Sequence, residues 1–191
     1  MSIPIAPLQS LKRIESWVAD RYPDRLPFLR PPADASTVER IERRLKLKLP
    51  DDVRNLYAAY DGQPEGAPTL YLNQRWLPLD LVAVAWEDLC LRYGRNVALR
   101  RAANTDSPFP MQTTGWSALW LPLFGSPRGD HYCLDLWPGR PNRFGQIIWF
   151  LYDRPERMVI ASSLSQLLRR VADGLDKGEW CLEAGFDGLS D

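Results

Sequence analysis

Two aspartates, Asp130 and Asp135, lie five residues apart in the segment GDHYCLDLWPG. Two positioned carboxyl groups suffice for glycoside hydrolysis, one acting as acid and the other as base or nucleophile. The segment reads as a strand, however, and an odd separation on a strand sends two side chains to opposite faces. Without a bulge the two acids do not converge, and the enzyme reading reduces to a hydrolase built on Asp135. His131 is the single histidine of the chain. A Ser-His-Asp or Cys-His set would need partners brought to it from elsewhere, and beside a Gly-Asp turn it reads as a surface side chain. Three cysteines, Cys90, Cys133 and Cys181, are odd in number and far apart, so neither a disulfide framework nor a zinc site is indicated. GSPRGD lacks the Gly-Lys-Ser/Thr sequel of a phosphate-binding loop and reads as a hairpin turn. No cofactor and no metal are expected.

The alternation along Asp130–Trp137 yields a more specific constellation. Tyr132, Leu134 and Leu136 share one face; His131, Cys133, Asp135 and Trp137 share the other. If Trp120 of the preceding strand points the same way, Asp135 sits among large flat rings. An ionised acid there is costly unless something pairs with it. Either Asp135 accepts turn N–H groups or meets an internal arginine, or it belongs to a recognition surface anchored by Trp120 and Trp137, residues of the type that anchor protein interfaces.

The elements that must position these residues are legible in the spacing. From Ala118 to Ala161 the chain has its densest apolar and aromatic block, broken by Gly, Pro, Asn and Asp. Four strands are predicted there, Ala118–Phe124, Asp130–Trp137, Gln146–Asp153 and Arg157–Ala161, and the short breaks favour antiparallel neighbours. Helices are predicted over Leu8–Arg21, Thr37–Leu45, the segment LPDDVRNLYAAYDG, and Asp80 to Ala103 with a bend or break at Gly94. A last one follows Ser163, with Leu164, Leu167, Leu168, Val171 and Leu175 on one stripe. Ser36-Thr37-Val38-Glu39 and Ser163-Leu164-Ser165-Gln166 both fit capping boxes. Thr69–Leu72 reads as an edge strand, Trp76–Leu79 as a second short strand or packed loop, and residues 104–115 as a loop. Pro23–Pro32 is an extended connector packed by Phe28 and Leu29.

The chain of 191 residues fits one domain: an N-terminal helix and Pro-rich connector over 1–32, a principal unit over 36–178, and a tail over 179–191. Its 24 basic and 24 acidic side chains give no net attraction to nucleic acid or to anionic membrane, and neither is expected as a partner. There is no signal-peptide pattern and no apolar run of spanning length, so a cytoplasmic location is expected.

Four pieces in order, LKLPDDVRNLYAAYDG, ALWLPLFGS, GDHYCLDLWPG, and FGQIIWFLYD followed by VIASSLSQLLRRV, resemble the SUKH superfamily. That group includes Smi/Knr-type cell-wall-assembly regulators and bacterial toxin-immunity proteins. The resemblance spans Ser36 to Leu175 and implies an α+β fold, a predominantly antiparallel sheet with helices packed against it. Positions matching the family pattern include Pro50, Gly62, Trp120, Pro122, Gly129, Asp130, Asp135, Pro138, Gly145 and Gln146. The prolines and glycines are turn and cap residues; Asp130, Asp135 and Gln146 either tie the sheet together or contact a ligand. The implied function is non-enzymatic protein binding, with a cognate toxin as partner, and a regulator or scaffold of wall assembly as the alternative. Trp120, Asp130, Asp135, Trp137 and Gln146 are the candidate partner-binding residues.

Overall fold

The computed structural model describes residues 6–25, 27–94, 112–113, 116–137, 144–154, 156–182 and 189–190. In chain order the elements are α1 (Ala6–Arg21), a 3-10 turn at Pro23–Arg25, α2 (Ala35–Leu45), α3 (Asp51–Ala59), β1 (Arg75–Trp76) and α4 (Leu79–Tyr93). They continue with β2 (Gln112–Thr113), β3 (Trp120–Gly125), β4 (His131–Asp135), β5 (Ile147–Phe150), β6 (Glu156–Ala161), α5 (Leu164–Lys177), β7 (Cys181–Leu182) and β8 (Leu189–Ser190). The fold is α+β. Six strands form one sheet in the order β1-β3-β4-β5-β6-β2, and every pairing in it is antiparallel.

The four strands expected between Ala118 and Ala161 are β3 to β6: β4 and β5 are shorter than expected, β3 begins later and runs on to Gly125, and β6 begins one residue earlier at Glu156. Along β3 the register shifts between Pro122 and Phe124. Proline has no N–H to give the ladder, which is why a bulge belongs there. Both faces of the sheet are covered. On one, Trp116 meets Trp120 and Phe150 edge-on at 6.0 and 5.6 Å, and Tyr93 of α4 meets Phe150 at 5.3 Å. On the other, Phe124, Tyr132 and Trp149 form a row of rings. Phe124 there shares a small apolar gap with Leu11 of α1 and Leu164 and Leu168 of α5. A sheet covered twice needs apolar side chains on both sides, so β3 is buried at all of its positions.

Helix ends explain most departures from the expected boundaries. The second helix begins at Ala35 because Asp34, not Ser36, caps it. Its carboxylate accepts the Thr37 N–H at 2.6 Å and the Ser36 hydroxyl at 2.9 Å, a stronger, charged acceptor two residues earlier. Ahead of α5, Ser163 accepts from the Gln166 N–H at 3.1 Å while Gln166 accepts from the Ser162 N–H, the expected box shifted by one donor. The fourth helix ends at Tyr93, with Gly94 at φ 78°; the expected continuation over 95–103 lies outside the described residues.

Two strand expectations are corrected. Thr69–Leu72 is not an edge strand: Tyr71 and Gln74 close a tight turn in which Leu72 and Asn73 have φ of 42° and 60°, and the edge is β1. Within the expected loop 104–115, Gln112 and Thr113 pair with Arg157 and Glu156 of β6. Main-chain pairing at an open edge needs no side-chain periodicity.

The outer side of β1 is closed by a side chain. Buried Gln63 donates its backbone N–H to the Trp76 carbonyl at 2.9 Å and accepts the Trp76 N–H on Oε1 at 3.0 Å, copying a strand partner. Beside it, the buried Tyr57 hydroxyl donates to the Leu77 carbonyl at 2.7 Å and accepts from the Trp76 indole at 3.0 Å. At the far end of the chain, Trp180 stacks on Tyr71 at 5.1 Å.

Candidate interaction surface

The five residues singled out in the sequence fall at the two ends of β4. Trp120 and Asp135 are register partners across β3 and β4, so their side chains leave the same face, which the alternation along β4 alone left open. Asp135 is 2 % exposed, yet it is hydrogen-bonded: Oδ1 accepts the Trp137 N–H at 3.1 Å and Oδ2 the Gln146 amide at 3.0 Å. Gln146 in turn accepts the Asp135 N–H on its carbonyl at 2.9 Å, and the Asp135 carbonyl accepts from Gly145 N–H at 2.8 Å. Three of the five, Trp120, Asp135 and Gln146, are therefore buried, and together they fix where the chain leaves β4 and enters β5. Trp137, held by that bond, is partly exposed.

Asp130 lies in the β3–β4 turn at the opposite end of β4, five residues from Asp135. Its Oδ1 accepts the Tyr152 N–H at 2.9 Å, tying the β3–β4 turn to the β5–β6 turn. Asp130 and Asp135 do not converge on a common point, since Asp130 stands just before the five-residue strand and Asp135 ends it. His131 is not the free surface side chain expected. It is partly buried, and its Nδ1 lies 3.1 Å from the Phe124 carbonyl. Burial lowers its pKa, opposed by that carbonyl and by Asp130, so it is neutral at pH 7.

Near His131 the surface opens into a groove of about 680 Å³ between the outer face of α4 and the turns that precede β1 and follow β3. Its floor is one cross-strand row. Arg75 of β1 pairs with Gly125 of β3, and Gly125 pairs with His131 of β4. Between two larger side chains the glycine keeps the floor low, and a Cβ there would crowd the His131 ring at 3.1 Å and Leu77 at 3.3 Å. One wall is α4, where Leu81 and Val84 are 40 % and 49 % exposed; Leu91, two turns on, is 84 % exposed. Positions 81, 84, 88 and 91 lie on one helical stripe. Thr69 also lines the groove, and its buried hydroxyl has no hydrogen-bond partner among the described residues.

The sequence supports this wall from behind. Val82, Trp86 and Leu89 hold α4 on the sheet, and the Trp86 indole donates to the Ala118 carbonyl at 3.0 Å. Pro78 precedes the helix without a side-chain acceptor, and Asp61 supplies one, taking the Leu79 N–H at 2.9 Å. Arg40 and Arg44 of α2 hold Asp80 and Glu87 by two-point contacts. The sequence reading missed Leu81, Val84 and Leu91. The available signal was that these apolar residues fall off the inward stripe of Val82, Trp86 and Leu89.

Among the described residues, no group of three or more His, Cys, Asp or Glu is arranged to hold a metal ion, and no helix is long and apolar enough to cross a membrane.

Comparison with known proteins gives a consistent picture. The model of the SMI1 / KNR4 family (SUKH-1) matches residues 32–170. The chain is 26 % identical to a KNR4/SMI1 homolog of Yarrowia lipolytica, over 90 % of this chain and 31 % of that protein. It is 28 % identical to the cell wall biosynthesis/cell cycle regulator smi1 of Schizosaccharomyces pombe, over 98 % of this chain and 40 % of that protein. A glucan synthesis regulatory protein of Neurospora crassa is 25 % identical over 91 % of this chain and 39 % of its own length. The chain thus spans less than half the length of these relatives.

Proposed function

The chain belongs to the SMI1 / KNR4 family (SUKH-1), and from that premise we propose that it is a non-enzymatic regulator of cell wall assembly that works by docking protein partners. The observation that carries this reading is the open groove beside α4. Leucine and valine side chains stand in water along a helix whose other side is fixed to the sheet. Apolar stripes of that kind mark interaction surfaces. The partner contact includes Asp130, at the hairpin beside the groove. At the other end of β4, Trp137 is a second contact, with Trp120, Asp135 and Gln146 as the buried frame that aims it.

Neutralising a toxin by direct contact, the first expectation from the family resemblance, would use the same physical means. The names of the relatives, a cell wall biosynthesis/cell cycle regulator and a glucan synthesis regulatory protein, favour regulation.

Affinity purification of the tagged chain from its own host separates the two readings. Wall-synthesis or wall-assembly proteins should be retained, and loss of the gene should sensitise cells to wall-digesting enzyme. Retention of a single toxin, whose killing the chain relieves, would replace regulation by immunity; retention of no protein would remove both.

A further inference from the structure

We propose that the groove over Arg75, Gly125 and His131 receives a partner segment that presents an acidic side chain to Arg75 and Thr69, and an aliphatic or aromatic side chain to Leu81 and Val84. This deepens the protein-docking reading above and rests on it.

Two donors argue for the acid. The Arg75 guanidinium makes no ion pair among the described residues, although it sits in a row whose other members are a glycine and a neutral imidazole. Thr69 is 8 % exposed, lines the same groove, and has a hydroxyl with no hydrogen-bond partner among the described residues. A buried unpaired hydroxyl is unfavourable until an acceptor reaches it. A carboxylate is the acceptor that serves a hydroxyl and a guanidinium together. The groove's own acids do not fill that place: Asp88 is held by Arg92 at 2.9 Å, and Glu65 is exposed on the outer turn.

Shape argues for a segment lying close over the floor. With no Cβ at Gly125, the His131 ring and a Leu77 methyl close over that position, 3.1 to 3.3 Å from where a Cβ would stand, and keep the floor low. Leu81 and Val84 line the same groove and offer the segment an apolar wall. The sealed edge of β1 excludes the alternative of strand addition at Trp76, because both of its main-chain groups are taken by Gln63.

The test uses a phage-displayed random peptide library selected on the full chain, with the enriched peptides then synthesised and titrated. Enrichment of Asp or Glu next to a large apolar residue is expected. Arg75→Glu should weaken those peptides about ten-fold or more, and Thr69→Val by a few-fold with no loss of melting temperature. Gly125→Val should abolish binding by pushing the His131 ring and Leu77 into the groove; its folding is checked by circular dichroism, and Arg75→Glu, at a partly exposed site, keeps the test valid if Gly125→Val misfolds. Enrichment of nothing, of basic peptides, or of peptides indifferent to Arg75→Glu and Thr69→Val overturns the assignment. The broader docking reading fails separately, when the host partner is not retained at all; a partner that still binds Arg75→Glu sinks the groove assignment alone.

Discussion

Asp135 and Gln146 bind each other twice, once through the backbone, from the Asp135 N–H to the Gln146 carbonyl at 2.9 Å, and once through the Gln146 amide to Asp135 Oδ2 at 3.0 Å. The pair closes the connection between β4 and β5 from inside, where water cannot replace either bond. Removing the acid leaves the Gln146 amide and the Trp137 N–H without their acceptor.

Asp135→Ala is therefore expected to lower folding stability by about 2 kcal/mol, with Asp135→Asn losing less because it keeps one acceptor. Urea unfolding measures this as a lower midpoint at unchanged slope. A stability equal to wild type would mean that the carboxylate is not a structural tie.

Glu42 governs a second, pH-dependent expectation. Its side chain is 2 % exposed and accepts from Lys48 at 2.9 Å, from the Leu49 N–H at 2.9 Å and from Arg54 at 2.5 Å. Burial pushes its pKa up, but the bonds from Lys48, Leu49 and Arg54 together outweigh burial and hold it below the usual value. A carboxyl depressed in the folded state stabilises above its unfolded pKa of about 4.3, and that contribution is lost as pH falls toward the folded value. Glu42→Gln should cost about 2 kcal/mol near pH 7 and flatten the stability profile below pH ~4.3. Parallel profiles for the two proteins would count against this role.

Gly62 allows the loop after α3 to press on the start of α4. It has φ +72°, and a Cβ would lie 2.6 Å from the Pro78 nitrogen and 2.7 Å from the Leu77 carbonyl carbon. Backbone cannot move aside as a flexible side chain can. Gly62→Ala should destabilise by about 3 kcal/mol and displace the neighbouring Asp61 cap from Leu79. Thermal unfolding and amide exchange at Leu79 measure both effects; a melting temperature unchanged from wild type would contradict the packing described.

How much of this was legible in the sequence depended on what each signal encodes. The meander and α5 were plain, because turn residues and a clean apolar stripe report local geometry. Asp135 also drew notice for a sound reason: an acid placed opposite Trp120 needs a partner, and Trp137 N–H and Gln146 supply it. Exposure was not legible. On a sheet covered on both faces, alternation no longer separates inside from outside, so Trp120 and Gln146 could not be told apart from surface anchors. The groove was hidden for another reason. It depends on Gly125 lying between Arg75 and His131, three residues brought into one row only by strand pairing.

The most direct measurement is a calorimetric titration of the partner recovered from the host into wild type and into the Leu81→Glu/Val84→Glu double variant, with melting curves of both. The account predicts a loss of at least about ten-fold in affinity with only a small change in melting temperature, since Leu81 and Val84 are 40 % and 49 % exposed. Equal affinity for the two proteins, with both folded, would contradict it.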